Sequence, residues 1–198
     1  WDGPTPFAVE QDLPLGGHGI EVDGAGKIWY ASFGARDSIL IGGSYESLSA
    51  IYVLNPDGTQ APFSPIRSII VDGVEDLLGP ETRGMNVDNN GDIVVTVKNR
   101  NLSFDIYRIN HLTGEGMHKL ANPLNSATCA PGFDADGNMV IFNVVGSSQP
   151  IMQYDYEFEE IGVAATANGL CRTIEFSPDG NDIYFMSFTG PMQMTRFH

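Results

Sequence analysis

The sequence predicts an all-β fold and, within that class, a β-propeller built from four-stranded antiparallel blades. The first observation is a motif in four copies, in which two runs rich in β-branched and aromatic residues flank a tight turn of Asp, Asn, Ser and Gly. The second is the lack of the 3.6-residue hydrophobic period that helical repeats show. The copies are residues 18–32, 83–97, 129–143 and 172–188.

The spacing of the four copies sets the predicted blades. The equivalent residues Val22, Val87, Phe133 and Phe176 lie 65, 46 and 43 positions apart. Regular units of about 40 to 50 residues with four strands each are typical of propellers, so the first interval is a blade with two long insertions. The predicted blades are 18–67, 83–122, 127–166 and 169–198, and 1–17 is a closing strand or part of a preceding blade.

These units predict one propeller domain or a partial propeller. Radial repeats usually close with more than four blades, so we expect the chain to be part of a six- or seven-bladed ring. The alternative is a ring of four blades that an N-terminal strand closes.

Within each blade, short alternating runs between turn residues predict the strands. The predicted strands are 18–22, 28–32, 50–54 and 60–66 in the first blade, 83–87, 93–97, 104–109 and 116–120 in the second, 129–133, 139–143, 150–154 and 159–164 in the third, and 172–176, 183–187 and 192–197 in the fourth.

The two insertions of the first blade are predicted to be loops. Residues 34–49 are rich in Gly and Ser, and residues 68–81 include a predicted helical turn at 74–78. Long loops on a rigid scaffold often bind other molecules, so both are candidate surfaces for a protein partner or for self-assembly. Packing over the edge of the blade is the alternative.

Composition restricts the partners and the compartment. The 198 residues include 10 basic and 25 acidic ones, a formal charge of -15, which disfavours nucleic acid and anionic membranes. No apolar run reaches the length of about 20 residues that a membrane span needs. The chain starts at Trp1, which fits a processed, truncated or partial sequence, and we expect an exported, extracellular or periplasmic protein.

Two stretches resemble the blade motifs of NHL-repeat and SMP-30/gluconolactonase-like propellers. They are residues 19–31, GIEVDGAGKIWYA, and residues 174–185, IEFSPDGNDIYF. The Ile-Tyr pairs at 51–52 and 106–107, followed by Asn55 and Asn110, resemble the third strand and turn of those blades. The insertions and the final SFTG also resemble secreted bacterial surface propellers. The resemblance implies the fold more specifically than the function, because such blades serve enzymes, scaffolds and binding proteins alike.

A small group of basic residues is predicted to meet at the mouth of the central channel. The first strand of each blade lines the channel in a propeller, and Arg offers a planar fork of donors for carboxylate or phosphate. We therefore predict a pocket for a small anion or an acidic side chain, with pairing of the arginines to Glu21 and Glu175 as the alternative. The equivalent residues at the start of these strands are His18, Arg83, Cys129 and Arg172.

The ends of the second strands are also expected near the channel and add Asn143 and Ser187 as candidate ligand-binding residues. The resemblance implies a divalent metal in lactonase-like members, held by an Asn before the SPDG segment and an Asp at the end of the next strand. Here Arg172 and Ser187 stand at those positions, and a guanidinium repels a divalent ion. We therefore expect no catalytic residues and no metal of the lactonase type.

Two turns are weak calcium candidates. They carry clustered oxygen ligands but lack the spaced Glu of a complete calcium loop, and Asp also favours such turns for local hydrogen bonding. We expect no cofactor, with calcium as the one candidate ion. The residues are Asp88, Asp92, Asp134 and Asp136.

The two cysteines, Cys129 and Cys171, start neighbouring first strands. A disulfide between blades and two buried free thiols are both open.

The sequence thus favours a non-catalytic propeller that binds a ligand or takes part in assembly. The rival hypothesis is a metal-dependent hydrolase or lactonase with its active site in the channel.

Overall fold

The computed structural model describes residues 17–34, 37–146, 150–189 and 194–198. Its regular elements are short strands between tight turns, and no described residue lies in a helix long and apolar enough to cross a membrane. The strands are β1 (Gly17–Val22), β2 (Ile28–Ser32), β3 (Asp37–Ile41), β4 (Ser44–Leu48), β5 (Ile51–Leu54), β6 (Ser68–Val71), β7 (Val74–Val87), β8 (Ile93–Asn99), β9 (Phe104–Ile109), β10 (Gly116–Leu120), β11 (Gly132–Phe133), β12 (Met139–Ile141), β13 (Pro150–Tyr154), β14 (Glu160–Thr166), β15 (Cys171–Phe176), β16 (Ile183–Ser187) and β17 (Met194–Phe197).

Four antiparallel sheets follow one another along the chain in the order predicted for blades. Their strand orders are β1-β2-β5, then β10-β9-β8-β7-β6, then β11-β12-β13-β14, then β15-β16-β17. A separate hairpin pairs β3 with β4. In each blade the first strand of the repeated motif pairs with the second across the predicted turn. Of the predicted closing or preceding-blade strand, 1–17, residues 1–16 lie outside the described residues, and Gly17 begins β1.

Aspartate holds the repeated turn in place. In the first blade Asp23 Oδ1 accepts the backbone N–H groups of Ala25 and Lys27, both at 2.9 Å, and Gly26 adopts a φ of 79°. The other oxygen of Asp23 accepts the indole N–H of buried Trp29 at 2.9 Å. The motif therefore combines a side chain that caps the turn with a glycine at the left-handed position.

Both insertions of the first blade are hairpins, which corrects the prediction of loops at 34–49 and 68–81. Each has a two-residue turn with two positive φ angles, 57° and 87° at Gly42-Gly43 and 52° and 76° at Asp72-Gly73. Gly-Gly and Asp-Gly are the pairs that such turns favour. The helical turn predicted at 74–78 is wrong for the same reason, since β7 begins at Val74 and runs on into the second blade.

The fourth strand predicted for the first blade, at 60–66, is also wrong. This segment forms no continuous ladder with the sheet. Isolated bridges pair Gln60 with Leu54 and Ile66 with Ile51, and the Ala61 N–H donates to the Val53 carbonyl at 2.9 Å. Pro62 and Pro65 cannot donate to a strand ladder, which explains why no continuous strand forms here.

The core lies between neighbouring blades. One cluster joins the first blade to the second and includes the fully buried Trp29, Ile51 and Tyr107. Another joins the third to the fourth, where Phe142 and Phe185 meet edge to face with ring centres 4.9 Å apart. Each sheet is therefore covered by its neighbour, as propeller blades require.

Close backbone approaches bring the inner strands together. A Cβ added at Gly84 would lie 2.6 Å from the backbone nitrogen of Ala130 and 2.7 Å from its Cα. The inner strands of the second and third blades therefore need a glycine at this position. Other inner-strand contacts of this kind are Gly19 with Met85 and Gly132 with Ile174.

Replacing Gly84 by Ala is expected to destabilise the fold by about 1–3 kcal/mol, because the added methyl group meets backbone that cannot rotate away. Gly24→Ala is the matched control, since its nearest neighbour would be 3.9 Å away, and its effect should stay within about 0.5 kcal/mol. Urea unfolding followed by circular dichroism measures both. Equal stability of the two variants would contradict the close packing of these strands.

Candidate functional site

A cavity of about 460 Å3 lies between the inner strands β1, β7 and β15. Its volume falls within the range of small-molecule sites. We call it the axial pocket. Its polar lining residues are His18, Glu21, Arg83, Asn86, Arg172, Thr173 and Glu175.

An irregular register explains how these side chains reach one cavity. Residues three apart on a regular strand point to opposite faces, yet His18 and Glu21 both line the pocket. The register of β1 with β2 shifts between Gly17 and Ile20, and an extra residue there turns the later side chain to the same side. The other two strands show the same shift, between Thr82 and Gly84 in β7 and between Cys171 and Ile174 in β15.

The basic side chains meet at one level of the pocket. The imidazole of His18 stacks on the ring of Phe33 with centres 4.0 Å apart, and the guanidinium of Arg83 lies 5.0 Å from the same ring. Burial lowers the pKa of His18, and the nearby charges of Arg172 and Arg83 lower it further. Two buried nitrogens, Nδ1 of His18 and Nε of Arg83, have no hydrogen-bond partner among the described residues.

The arginines do not pair with the pocket carboxylates, which corrects the alternative drawn from the sequence. Arg83 pairs instead with Glu81, whose other oxygen lies 3.3 Å from Lys98 Nζ. Arg172 lies over the ring of Phe188 at 4.8 Å and has no ion pair in the described part of the chain. One guanidinium is therefore partly neutralised, and the other has no counter-ion among the described residues.

The acidic side chains form a second level three residues further along the strands. Burial raises the pKa of Glu21, and repulsion from Glu175 raises it further. Glu175 accepts a hydrogen bond from the Thr173 hydroxyl at 2.8 Å, but neither glutamate has an ion pair within the described ranges. Asn86 stands at the equivalent place on β7 and donates to the carbonyl of Pro131 at 2.9 Å.

The other predicted ligand residues lie outside the axial pocket. Asn143 is buried, and its carbonyl accepts a hydrogen bond from the Cys171 N–H at 3.2 Å. The Ser187 hydroxyl donates to the carbonyl of Thr189 at 2.7 Å. Cys129 lies in the core instead of the pocket wall. The third blade thus contributes only the small Ala130, which precedes β11, to the lining.

Of the two alternatives left open for the cysteines, the structure has two buried free thiols. Both belong to the core cluster between the third and fourth blades. A hydrogen bond to Cys129 raises the pKa of Cys171, and burial raises it further. These thiols pack as small apolar side chains and are not exposed nucleophiles.

Two of the four aspartates proposed for calcium, Asp88 and Asp134, accept hydrogen bonds within their own turns. Asp92 Oδ1 accepts the backbone N–H of His111 at 3.1 Å, and Asp136 is exposed. Oδ1 of Asp134 accepts the N–H groups of Asp136 and Asn138, and its Oδ2 accepts the side-chain amides of Asn138 and Gln153, the latter at 2.9 Å. Asp88 caps its turn in the same way. The turn role accounts for the carboxylates of Asp88 and Asp134. The described residues contain no group of three or more His, Cys, Asp or Glu placed to hold a metal, and calcium at these turns stays a prediction.

Two residues of the site were missed in the sequence. Phe33 and Phe188 are the rings on which the basic side chains rest. Each directly follows the serine that ends the second strand of its blade, at Ser32-Phe33 and Ser187-Phe188. That shared Ser-Phe pair in the repeat alignment was the available signal.

Solved structures share this fold. A candidate gluconolactonase matches 90% of this chain and 59% of its own, with a TM-score of 0.54 and 17% identity. Regucalcin, a calcium-binding protein from Agrobacterium tumefaciens, matches 87% of this chain and 54% of its own, with a TM-score of 0.51 and 10% identity. The extracellular domain of a one-component system from B. thetaiotaomicron matches 92% and 24%, with a TM-score of 0.54 and 13% identity.

No family model and no curated protein matches the sequence. At these identities the structural likeness shows the fold alone, and the chain spans less than two thirds of the length of each of these structures. Together with the antiparallel sheets, the likeness confirms the predicted all-β, β-propeller fold, and SMP-30/gluconolactonase-like propellers are among the structures that share it.

Proposed function

We propose that this chain is a ligand-binding propeller domain whose axial pocket takes a small anion or an acidic side chain. The observation that carries the proposal is the meeting of His18, Arg83 and Arg172 at one level of a single cavity. Two of their buried nitrogens lack partners, and buried polar groups in proteins are nearly always hydrogen-bonded. A carboxylate or sulfate placed there would supply the missing acceptors and would accept bidentate bonds from an arginine.

The positive charge of the basic residues favours anion binding over the rival function, a metal-dependent hydrolase. The structures that share this fold include a candidate gluconolactonase and a calcium-binding protein. A metal-dependent enzyme is therefore the second candidate function. Arg172 stands where the resemblance places a metal ligand, and a divalent ion beside it would be repelled. Binding of an anion uses the same residue favourably.

We further propose that the protein is exported and that the hairpins at 37–48 and 68–77 are surfaces for a protein partner or for self-assembly. The likeness to an extracellular domain from B. thetaiotaomicron supports export. The hairpins expose apolar side chains at their ends, among them Leu40, Ile70 and Val74, which supports a role in contacts with other chains.

Titration with sulfate, measured by calorimetry, tests the anion site. Arg172→Gln is expected to weaken sulfate binding about tenfold, because a hydrogen bond to a charged group is worth about 1.5–3 kcal/mol. Arg100→Gln is the matched control, since Arg100 is exposed and pairs with Glu46 away from the pocket. An equal loss in both variants, or no loss in either, would overturn the proposal.

A pH series adds a second readout for the same site. A bound anion favours the charged form of the imidazole. Because the pKa of His18 lies below its ordinary value of 6.5, sulfate affinity should rise as the pH falls below 6.5. Glu81 also faces this imidazole, and Glu21 titrates in the same cavity. The difference between wild type and His18→Gln isolates the imidazole, and a pH dependence that survives this change would contradict its role.

A further inference from the structure

The geometry points to a ligand with two charges for the axial pocket, a zwitterion whose carboxylate meets the basic level and whose ammonium group meets the acidic level. This inference rests on the proposed function, since the basic level is the proposed anion site. It adds that the acidic level recognises the positively charged end of the same ligand.

The two levels are built by the same strands. Each of β1 and β15 carries a basic residue and, three residues later, a glutamate: His18 with Glu21 and Arg172 with Glu175. On β7 the pair is Arg83 with Asn86, where an amide stands in for the carboxylate. The shifted register in all three strands directs both levels into one cavity. The same pair of opposite charges therefore recurs in two of the four blades, the first and the fourth.

Among the described residues, no basic side chain pairs with the carboxylates of the acidic level. Glu21 and Glu175 repel each other across the cavity, and that repulsion, together with burial, raises the pKa of Glu21. The basic residues of the first level pair or stack elsewhere, on Glu81, Phe33 and Phe188, and leave these carboxylates unneutralised. An ammonium group between the two glutamates would offset their repulsion and donate charge-assisted hydrogen bonds to both carboxylates.

The spacing of the levels sets the length of the ligand. Three residues of strand rise by about 10 Å, and the bulge shortens this distance. In an α-amino acid both charged groups are attached to the same carbon atom, so they lie too close together to reach both levels. A chain of several methylene groups between the carboxylate and the ammonium group fits this spacing. The ligand class is therefore ω-amino acids, together with related molecules that carry a basic side chain and a free carboxylate.

Three probes of one carbon-chain length test the inference: ε-aminocaproate carries both charges, caproate only the negative one, and hexylamine only the positive one. We expect ε-aminocaproate to bind about tenfold more tightly than caproate, the ratio that one added charged hydrogen bond gives. Glu175→Gln should remove this advantage and leave caproate binding unchanged or slightly stronger. Glu157→Gln is the control, because Glu157 is an exposed glutamate that does not line the pocket.

The outcomes separate the two proposals. If caproate and ε-aminocaproate bind equally well and Arg172→Gln weakens both, the anion site stands and the zwitterion inference is overturned. If neither probe binds and sulfate also fails, both proposals are overturned. A preference for ε-aminocaproate that Glu175→Gln leaves intact would equally refute the acidic level as the recognition element.

Discussion

Asp88→Ala is expected to destabilise the protein by about 3–5 kcal/mol, because it leaves a buried guanidinium without its counter-ion. The side chain of Arg108 is fully buried, and its Nε lies 2.9 Å from Asp88 Oδ2. The guanidinium packs 3.9 Å from the centre of the Tyr156 ring and 4.8 Å from that of Phe158. Burial lowers the pKa of Arg108, and Asp88 opposes that effect, so the pair is held in a costly environment.

The second terminal nitrogen of Arg108 has no hydrogen-bond partner in the described part of the chain. Because an unpaired buried donor costs free energy, the Asp88–Arg108 ion pair adds little net stability. The double variant Asp88→Asn with Arg108→Met should therefore lose less stability than Asp88→Ala alone, since it removes both charges and keeps an acceptor for the turn. Urea unfolding gives each value.

A surface pair provides the control for this experiment. Glu46→Ala breaks the ion pair with Arg100, which is largely exposed, and should cost less than about 1 kcal/mol. A loss from Asp88→Ala no larger than that from Glu46→Ala would show that the buried pair does not hold the turn to strand β9.

The fold could be predicted because turn chemistry and alternation act locally. Asp-x-x-Gly turns recur at fixed places, and the predicted strands 150–154 and 183–187 match β13 and β16 residue for residue. The same chemistry was overlooked at Gly42-Gly43 and Asp72-Gly73, where a Gly- and Ser-rich composition favoured loops. Those hairpins were predictable from their two-residue turns.

The site was predictable only where it follows the repeat. Aligned positions brought together His18, Arg83 and Arg172, but the partner of Arg83 depends on geometry that the alignment does not contain. Glu81 lies two residues before Arg83 on the same strand, and the two side chains form an ion pair. A register shift of one residue leaves no sequence signature of its own, so the pairing with Glu21 and Glu175 could not be excluded beforehand.

Asp105→Ala is expected to cost about 3 kcal/mol or more, because one buried carboxylate serves several donors of the second blade. Its Oδ2 accepts the side-chain amide of Asn99 at 2.7 Å and lies 3.2 Å from Lys119 Nζ, and its Oδ1 accepts the N–H of Asn122 at 3.0 Å. Asp136→Ala is the matched control, since that side chain is exposed, and should change stability by less than about 0.5 kcal/mol. Urea unfolding measures the free energy of unfolding of both variants, and equal losses would contradict the role of the Asp105 carboxylate.

The same cluster predicts how stability depends on alkaline pH. Burial raises the pKa of Tyr107, and the charges of Asp105 and Asp76 raise it further. Burial alone would lower the pKa of Lys119, but its hydrogen bonds to Asp76 and Asp105 raise that pKa above the ordinary value. Both groups bind protons more tightly in the folded state, so their contribution is complete below the ordinary values of 10.0 and 10.5 and is lost as the pH rises above them. Removal of Asp105 takes away one cause of the Tyr107 shift, so tyrosinate absorbance should appear at lower pH in Asp105→Ala than in wild type. An unchanged tyrosine titration, measured while the variant is still folded, would show that the carboxylate does not act on this hydroxyl.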